Sequence, residues 1–101
     1  MNAKAIKIDE KDNVATAIAE IKKGEIVIVK GKVEEQIKVI QDIPFGHKFA
    51  TSLIEKGANV VKYGEVIGKA TSMIQVGEHV HVHNIESLRG RGDLVRGVLE
   101  G

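Results

Sequence analysis

From Glu25 onward the chain runs in short β-branched segments, each stopped by a glycine, a pattern that admits short strands and little else. Residues 25–29 form one such run, ended by Gly31. Residues 35–40 alternate, with Ile37 and Val39 on one face. Pro44, the single proline, and Gly46 interrupt next. Val60-Val61, Val66-Ile67 and Val80 to Val82 mark later strands, separated by Gly57, Gly64, Gly68 and Gly77. Ile21-Lys22-Lys23-Gly24, Ile54-Glu55-Lys56-Gly57 and Ile74-Gln75-Val76-Gly77 share the form Ile-x-x-Gly, and each precedes a strand. A buried isoleucine would anchor the turn and glycine would take the positive φ before the strand starts. The unequal spacing makes this a recurring turn and not a solenoid repeat.

The N-terminal quarter reads differently. Residues 4–8 alternate polar and apolar, as a short first strand does. Val14, Ala17, Ile18 and Ile21 then recur at three- and four-residue spacing, which predicts an amphipathic helix. Asp12 and Asn13 would cap its start, Lys22 and Lys23 suit its last turn, and Gly24 would stop it. The expected fold is therefore mostly β with one short amphipathic helix near the N-terminus. At 101 residues the chain is expected to form a single domain spanning 1–101.

Composition narrows the function. Fifteen Lys and Arg against 14 Asp and Glu give a net charge of +1, so no electrostatic case exists for nucleic acid or an anionic membrane. The only aromatics are Phe45, Phe49 and Tyr63, too few for a stacking platform. With no cysteine, metal chemistry would have to use the four histidines and the carboxylates. No apolar run approaches the ~20 residues that span a bilayer, and the N-terminus lacks a secretory apolar stretch, so a cytoplasmic protein is expected. No phosphate-binding Gly-rich loop, Gly-x-Ser-x-Gly or His-Glu-x-x-His motif occurs.

Three segments carry candidate chemistry. In Gly77-Glu78-His79-Val80-His81-Val82-His83-Asn84 an extended strand would put three histidines on one face and both valines toward the core. Histidines two apart have Cα atoms roughly 6.6–7 Å apart and can grip one ion, whereas His79 and His83, roughly 13 Å apart, would not share it with His81. In Ile43-Pro44-Phe45-Gly46-His47-Lys48 a tight turn presents an imidazole beside a cation, a pairing suited to a carboxylate substrate. In the tail, Arg89-Gly90-Arg91-Gly92-Asp93 could offer guanidinium and backbone N–H groups to an anion. On its own, a solvated loop accounts better for the second of these segments, and a flexible C-terminus accounts equally well for the third.

Together these segments resemble the small N-terminal domain of the altronate/galactarate dehydratase family. The likeness runs from Ile43 to Asp93 and includes Val61-Lys62-Tyr63-Gly64-Glu65-Val66-Ile67-Gly68-Lys69-Ala70 and His81-Val82-His83-Asn84. It implies a SAF-type β-clip domain that takes part in removing water from an altronate- or galactarate-type 2,3-dihydroxy acid to give a 2-keto-3-deoxy acid. It further implies a divalent metal, iron, held mainly by a large catalytic partner subunit, with this chain as the separate small subunit and an oligomer as one possible assembly. Carried onto this sequence, His47, His81 and His83 would be the catalytic positions. Lys48, Asn84 and Arg89 would bind substrate, and His81 with His83 would contribute to a metal shell. His79 is less tied to the pattern. The alternatives are the alpha subunit of a sulfolactate sulfo-lyase, a non-catalytic binding or regulatory module docking on a large subunit, and a free-standing metal-binding β-module.

Overall fold

The computed structural model describes residues 3–87, and Arg89 with the rest of the tail segment lies outside them. Nine strands follow in order: β1 (Ala3–Ile6), β2 (Val14–Ala17), β3 (Ile26–Lys30), β4 (Glu35–Lys38), β5 (Lys48–Ala50), β6 (Asn59–Lys62), β7 (Glu65–Ala70), β8 (His79–Val80) and β9 (Ile85–Ser87). Six form one sheet in the order β4-β3-β1-β2-β5-β8, and β6-β7-β9 form a second. These short, curled sheets suit a β-clip.

Among the described residues there is no helix, so the helix expected over the N-terminal segment is overturned. Its place is taken by β2, paired with β1 on one side and β5 on the other. The apolar spacing misleads because β2 lies between two cores. Val14 packs in one with Ala50, Ile54, Val60, Ala70, Ile74 and Val80. Ala15 and Ala17 pack in the other with Ile21, Val27, Val39, Ile43 and Phe49. Both faces of the strand are apolar, and the sum imitates a helical stripe. A helix this short has little stability of its own, and ladder bonds on two sides displace it. Ile18, expected on the helix's apolar face, is exposed.

Asp12 and Asn13 keep their capping chemistry but serve a different donor. Asp12 Oδ1 accepts the Gly64 N–H at 2.8 Å, and Asn13 Oδ1 accepts the Val61 N–H at 2.8 Å. The Asn13 amide also donates to the Asn59 carbonyl at 2.9 Å. These two side chains fasten the second sheet to the loop entering β2. The β6–β7 hairpin turns through Tyr63 (φ 56°) and Gly64 (φ 76°), the two positive φ values a type I′ turn requires.

The Ile-x-x-Gly turns are four and not three: Ile43-Pro44-Phe45-Gly46 is a further copy. They work in crossed pairs. Ile21 and Ile43 exchange both backbone hydrogen bonds (3.0 and 2.8 Å), as do Ile54 and Ile74 (2.9 and 2.7 Å). Gly24 N–H donates to the Val39 carbonyl and Gly46 N–H to that of Ala17, at 2.9 Å each. Gly57 N–H reaches the Ala70 carbonyl and Gly77 N–H that of Ala50, both at 2.8 Å. All four isoleucines are fully buried, the first pair in the β1–β5 core and the second in the other. Each clasp thus closes one core.

Two predictions follow from the clasps. Ile21→Ala or Ile74→Ala should lower unfolding stability by about 2–5 kcal/mol in urea denaturation, as buried truncations do. Gly24→Ala (φ 92°, open space) should cost about 1–2 kcal/mol. Gly77→Ala should cost distinctly more, because its Cβ would also be driven into the Lys38 carbonyl oxygen. Equal losses at the two glycines would contradict this packing.

Candidate functional site: a histidine cluster beside a basic cleft

Strand β8 pairs antiparallel with β5, setting Phe49 against His79 and Lys48 against Val80. Continued one residue, the same register sets His47 opposite His81. Side chains alternate along both segments, so His47, His79 and His81 emerge on one face. The structure brings together one nitrogen from each of these three, all within 4.8 Å of one another. His47 Nδ1 and His79 Nε2 are 2.9 Å apart, a hydrogen bond carried by one proton. The His47 and His81 rings stack at 4.4 Å between centroids, and His79 and His81 at 5.4 Å.

The strand expected through Val82 ends at Val80. Residues 81–84 turn, with the Asn84 N–H donating to the His81 carbonyl at 3.1 Å. Val80 is buried as expected, but Val82 is 80% exposed. The turn also folds His83 back, so its ring lies 5.4 Å from that of His79, not an extended strand's length away. His83 is exposed and stands outside the three-nitrogen group, which joins His81 to His47 and His79. His79, the least regarded histidine in the sequence reading, is a full member.

Asn84 is 2% exposed. Its Oδ1 accepts the His81 N–H at 3.0 Å, and its amide donates to the His79 carbonyl at 2.9 Å and to Glu78 Oε2 at 3.5 Å. The side chain expected to touch substrate is thus bonded within the turn, where it sets the course of the histidine segment. Gln41 Oε1, accepting the His79 N–H at 2.9 Å, pins the other end of that segment.

Pro44 removes one demand on position 47. In two of the sister turns, the N–H after the isoleucine is capped by a glutamate three residues later: Lys22 by Glu25 (2.7 Å) and Gln75 by Glu78 (2.9 Å). Pro44 has no N–H to cap. The position equivalent to Glu25 and Glu78 is therefore free of that duty, and His47 stands there.

Burial, first, and the neighbouring His47, His83, His81 and Lys48 push His79 down to about 4. Burial and then His47, Lys48 and His83 lower His81 as well. The half-buried Lys48 ammonium is lowered by burial and by the like charge of Lys62. Lys48 makes no ion pair among the described residues. Next to the histidines opens a cleft of about 460 Å³, whose lining includes Lys48, Lys62, Tyr63, Glu65, His81 and Ser87. His81 belongs to both the trio and the cleft. Neutral imidazoles with mutually close nitrogens are the borderline donor set that suits a divalent transition metal.

The depressed His79 value carries a pH signature. Below the ordinary 6.5 the unfolded chain takes up a proton that the folded chain refuses until about 4. This contribution to stability is complete above 6.5 and is lost progressively as pH falls toward 4. In NMR titration of the metal-free protein the His79 ring should stay neutral at pH 5.5; a midpoint near 6.5 would contradict the geometry.

Residues 3–88 match the family described as the altronate/galactarate dehydratase SAF domain. The chain is 48% identical over 79 residues to an altronate dehydratase of Escherichia coli K12, covering 78% of this chain and 15% of that protein. It is 44% identical over 82 residues to an altronate dehydratase of Bacillus subtilis, covering 81% and 16%. It is also 48% identical over 48 residues to the (2R)-sulfolactate sulfo-lyase subunit alpha of Paracoccus pantotrophus, covering 48% and 72%. The chain therefore spans a small part of the length of the altronate dehydratases it matches. A fold of short curled strands and a match over all the described residues lead to one assignment: the chain belongs to the altronate/galactarate dehydratase SAF-domain family.

Proposed function

We propose that this chain is the SAF component of a sugar-acid dehydratase, acting with a larger catalytic portion as a separate partner subunit. The observation that carries the reading is the double membership of His81, which joins a three-imidazole cluster to a basic cleft of small-molecule size. The kinship with altronate dehydratases supplies the reaction class.

In that reaction the C–H bond next to the carboxylate breaks and its electron pair forms a C=C bond as the β-hydroxyl leaves. The hydroxyl departs as water with one proton, and the resulting enol tautomerises to the 2-keto-3-deoxy acid. A divalent metal, iron by family resemblance, supplies Lewis-acid stabilisation when bound. His47, His79 and His81 would hold it from this side, with the partner completing the shell. The suppressed protonation of His79 and His81 keeps their lone pairs available. Lys48 would pair with the substrate carboxylate from the adjoining strand position. Asn84 and Gln41 would act as positioning residues, fixing the backbone on which His79 and His81 ride. His83, outside the cluster and facing solvent, is left to proton exchange with the medium.

A sulfolactate sulfo-lyase is the second reading, favoured by one observation: the matched region is 72% of that small subunit's length. Product analysis separates the two, since one reaction yields a 2-keto-3-deoxy acid and the other sulfite.

In the complex reconstituted with its large partner, His47→Ala, His79→Ala and His81→Ala should each lower kcat at least about 100-fold. Lys48→Gln should act chiefly by raising KM, about tenfold. Near-normal kcat and KM in all the histidine variants would remove the chain from the chemistry and leave it a docking or regulatory module.

A further inference from the structure

We infer that the cleft beside the histidine cluster is a carboxylate subsite in which Lys62, from the β6–β7 hairpin, clamps the substrate together with Lys48. This assigns a specificity-determining residue and rests on the dehydratase reading. Lys62 ends β6 and Lys48 opens β5, so the two lysines that line the cleft come from different sheets. Two like charges converge there, and neither makes an ion pair with a carboxylate among the described residues. Holding them together costs energy that an anion between them would relieve. Lys62 lies 4.9 Å from the Tyr63 ring centroid, a cation–π contact that restrains the side chain at the rim.

Charge on the lining sets the sign of the ligand. Glu65, the direct partner of Lys62 across the hairpin, also lines the cleft. Among the described lining residues, ammonium groups outnumber carboxylates, an excess of positive charge that suits a carboxylate of a polyhydroxy acid. Ser87 and the Tyr63 hydroxyl add neutral hydrogen-bonding groups of the kind that read a sugar acid's hydroxyls. The hairpin that carries Lys62 and Tyr63 is itself fixed by Asp12 and Asn13, so the second half of the clamp is held in place by the loop entering β2.

The test is an amide-resolved NMR titration of the 101-residue chain with galactarate, in EDTA, with galactitol as the uncharged analogue. Galactarate should give saturable shifts at Lys48, Lys62, Tyr63 and His81, and galactitol none. Lys62→Gln and Lys48→Gln should each weaken binding about tenfold. Lys56→Gln, the same charge change on an exposed turn away from the cleft, should leave it unaltered. The subsite is overturned by absence of saturable shifts, by equal binding of galactitol, or by a Lys62→Gln variant that binds as the parent does. Because metal is withheld, failure of metal binding at the histidines would leave this result intact, and failure here would leave metal binding to stand on its own measurement.

Discussion

Everything in this small protein hangs on the crossed clasps between paired Ile-x-x-Gly turns. Each clasp exchanges two hydrogen bonds between isoleucines and two more from glycine N–H groups to the carbonyl four residues before the partner isoleucine. The backbone of two sharp turns is thereby satisfied inside the protein, where unpaired polar groups would be costly. Burying an isoleucine from each side then turns a hydrogen-bonded crossing into the plug of a core. Among the described residues, which include no helix, the clasps work together with longer-range pairings, β2 with β5 and β5 with β8, to hold the sheets to their shape.

The candidate site is a by-product of these clasps. His47 follows the glycine of one clasp by a single residue, and His79 follows the glycine of the other by two. The β5–β8 register lays the two exits side by side, and His81 completes the group from the next position on the same face. The consequence is direct: burial first, and then the neighbouring imidazoles and Lys48, make His79 and His81 resist protonation. The same crowding that would disfavour a surface cluster of cations favours a metal or another electrophile. The cleft meets this cluster at His81, so that binding of an anion and chemistry at the imidazoles become adjacent events.

Much of this was legible in the residues, and the misses have physical causes. The glycine-stopped β-branched runs mark β3, β6 and β7, and polar–apolar alternation marks β1 and β4. The pattern through Val14 and Ile21 failed because a strand wedged between two cores is apolar on both faces, which periodicity cannot separate from a helical stripe. The histidine triplet stood out, but an extended strand through His83 was assumed where buried Asn84 bends the chain. His47 was noticed for its neighbour Lys48, not for its partners, because the pairing of β5 with β8 is a long-range register. One signal was available: Ile43-Pro44-Phe45-Gly46 repeats the turn pattern, and His47 stands where two of its three sisters carry Glu25 and Glu78.

Cobalt(II) titration followed by visible absorption tests most directly whether His47, His79 and His81 form one metal-binding group. One equivalent per chain should produce the d–d bands of a nitrogen-ligated ion. Each of His47→Ala, His79→Ala and His81→Ala should abolish them, while His83→Ala retains them. Bands that survive loss of His47 or His79, or that vanish with His83, would contradict it.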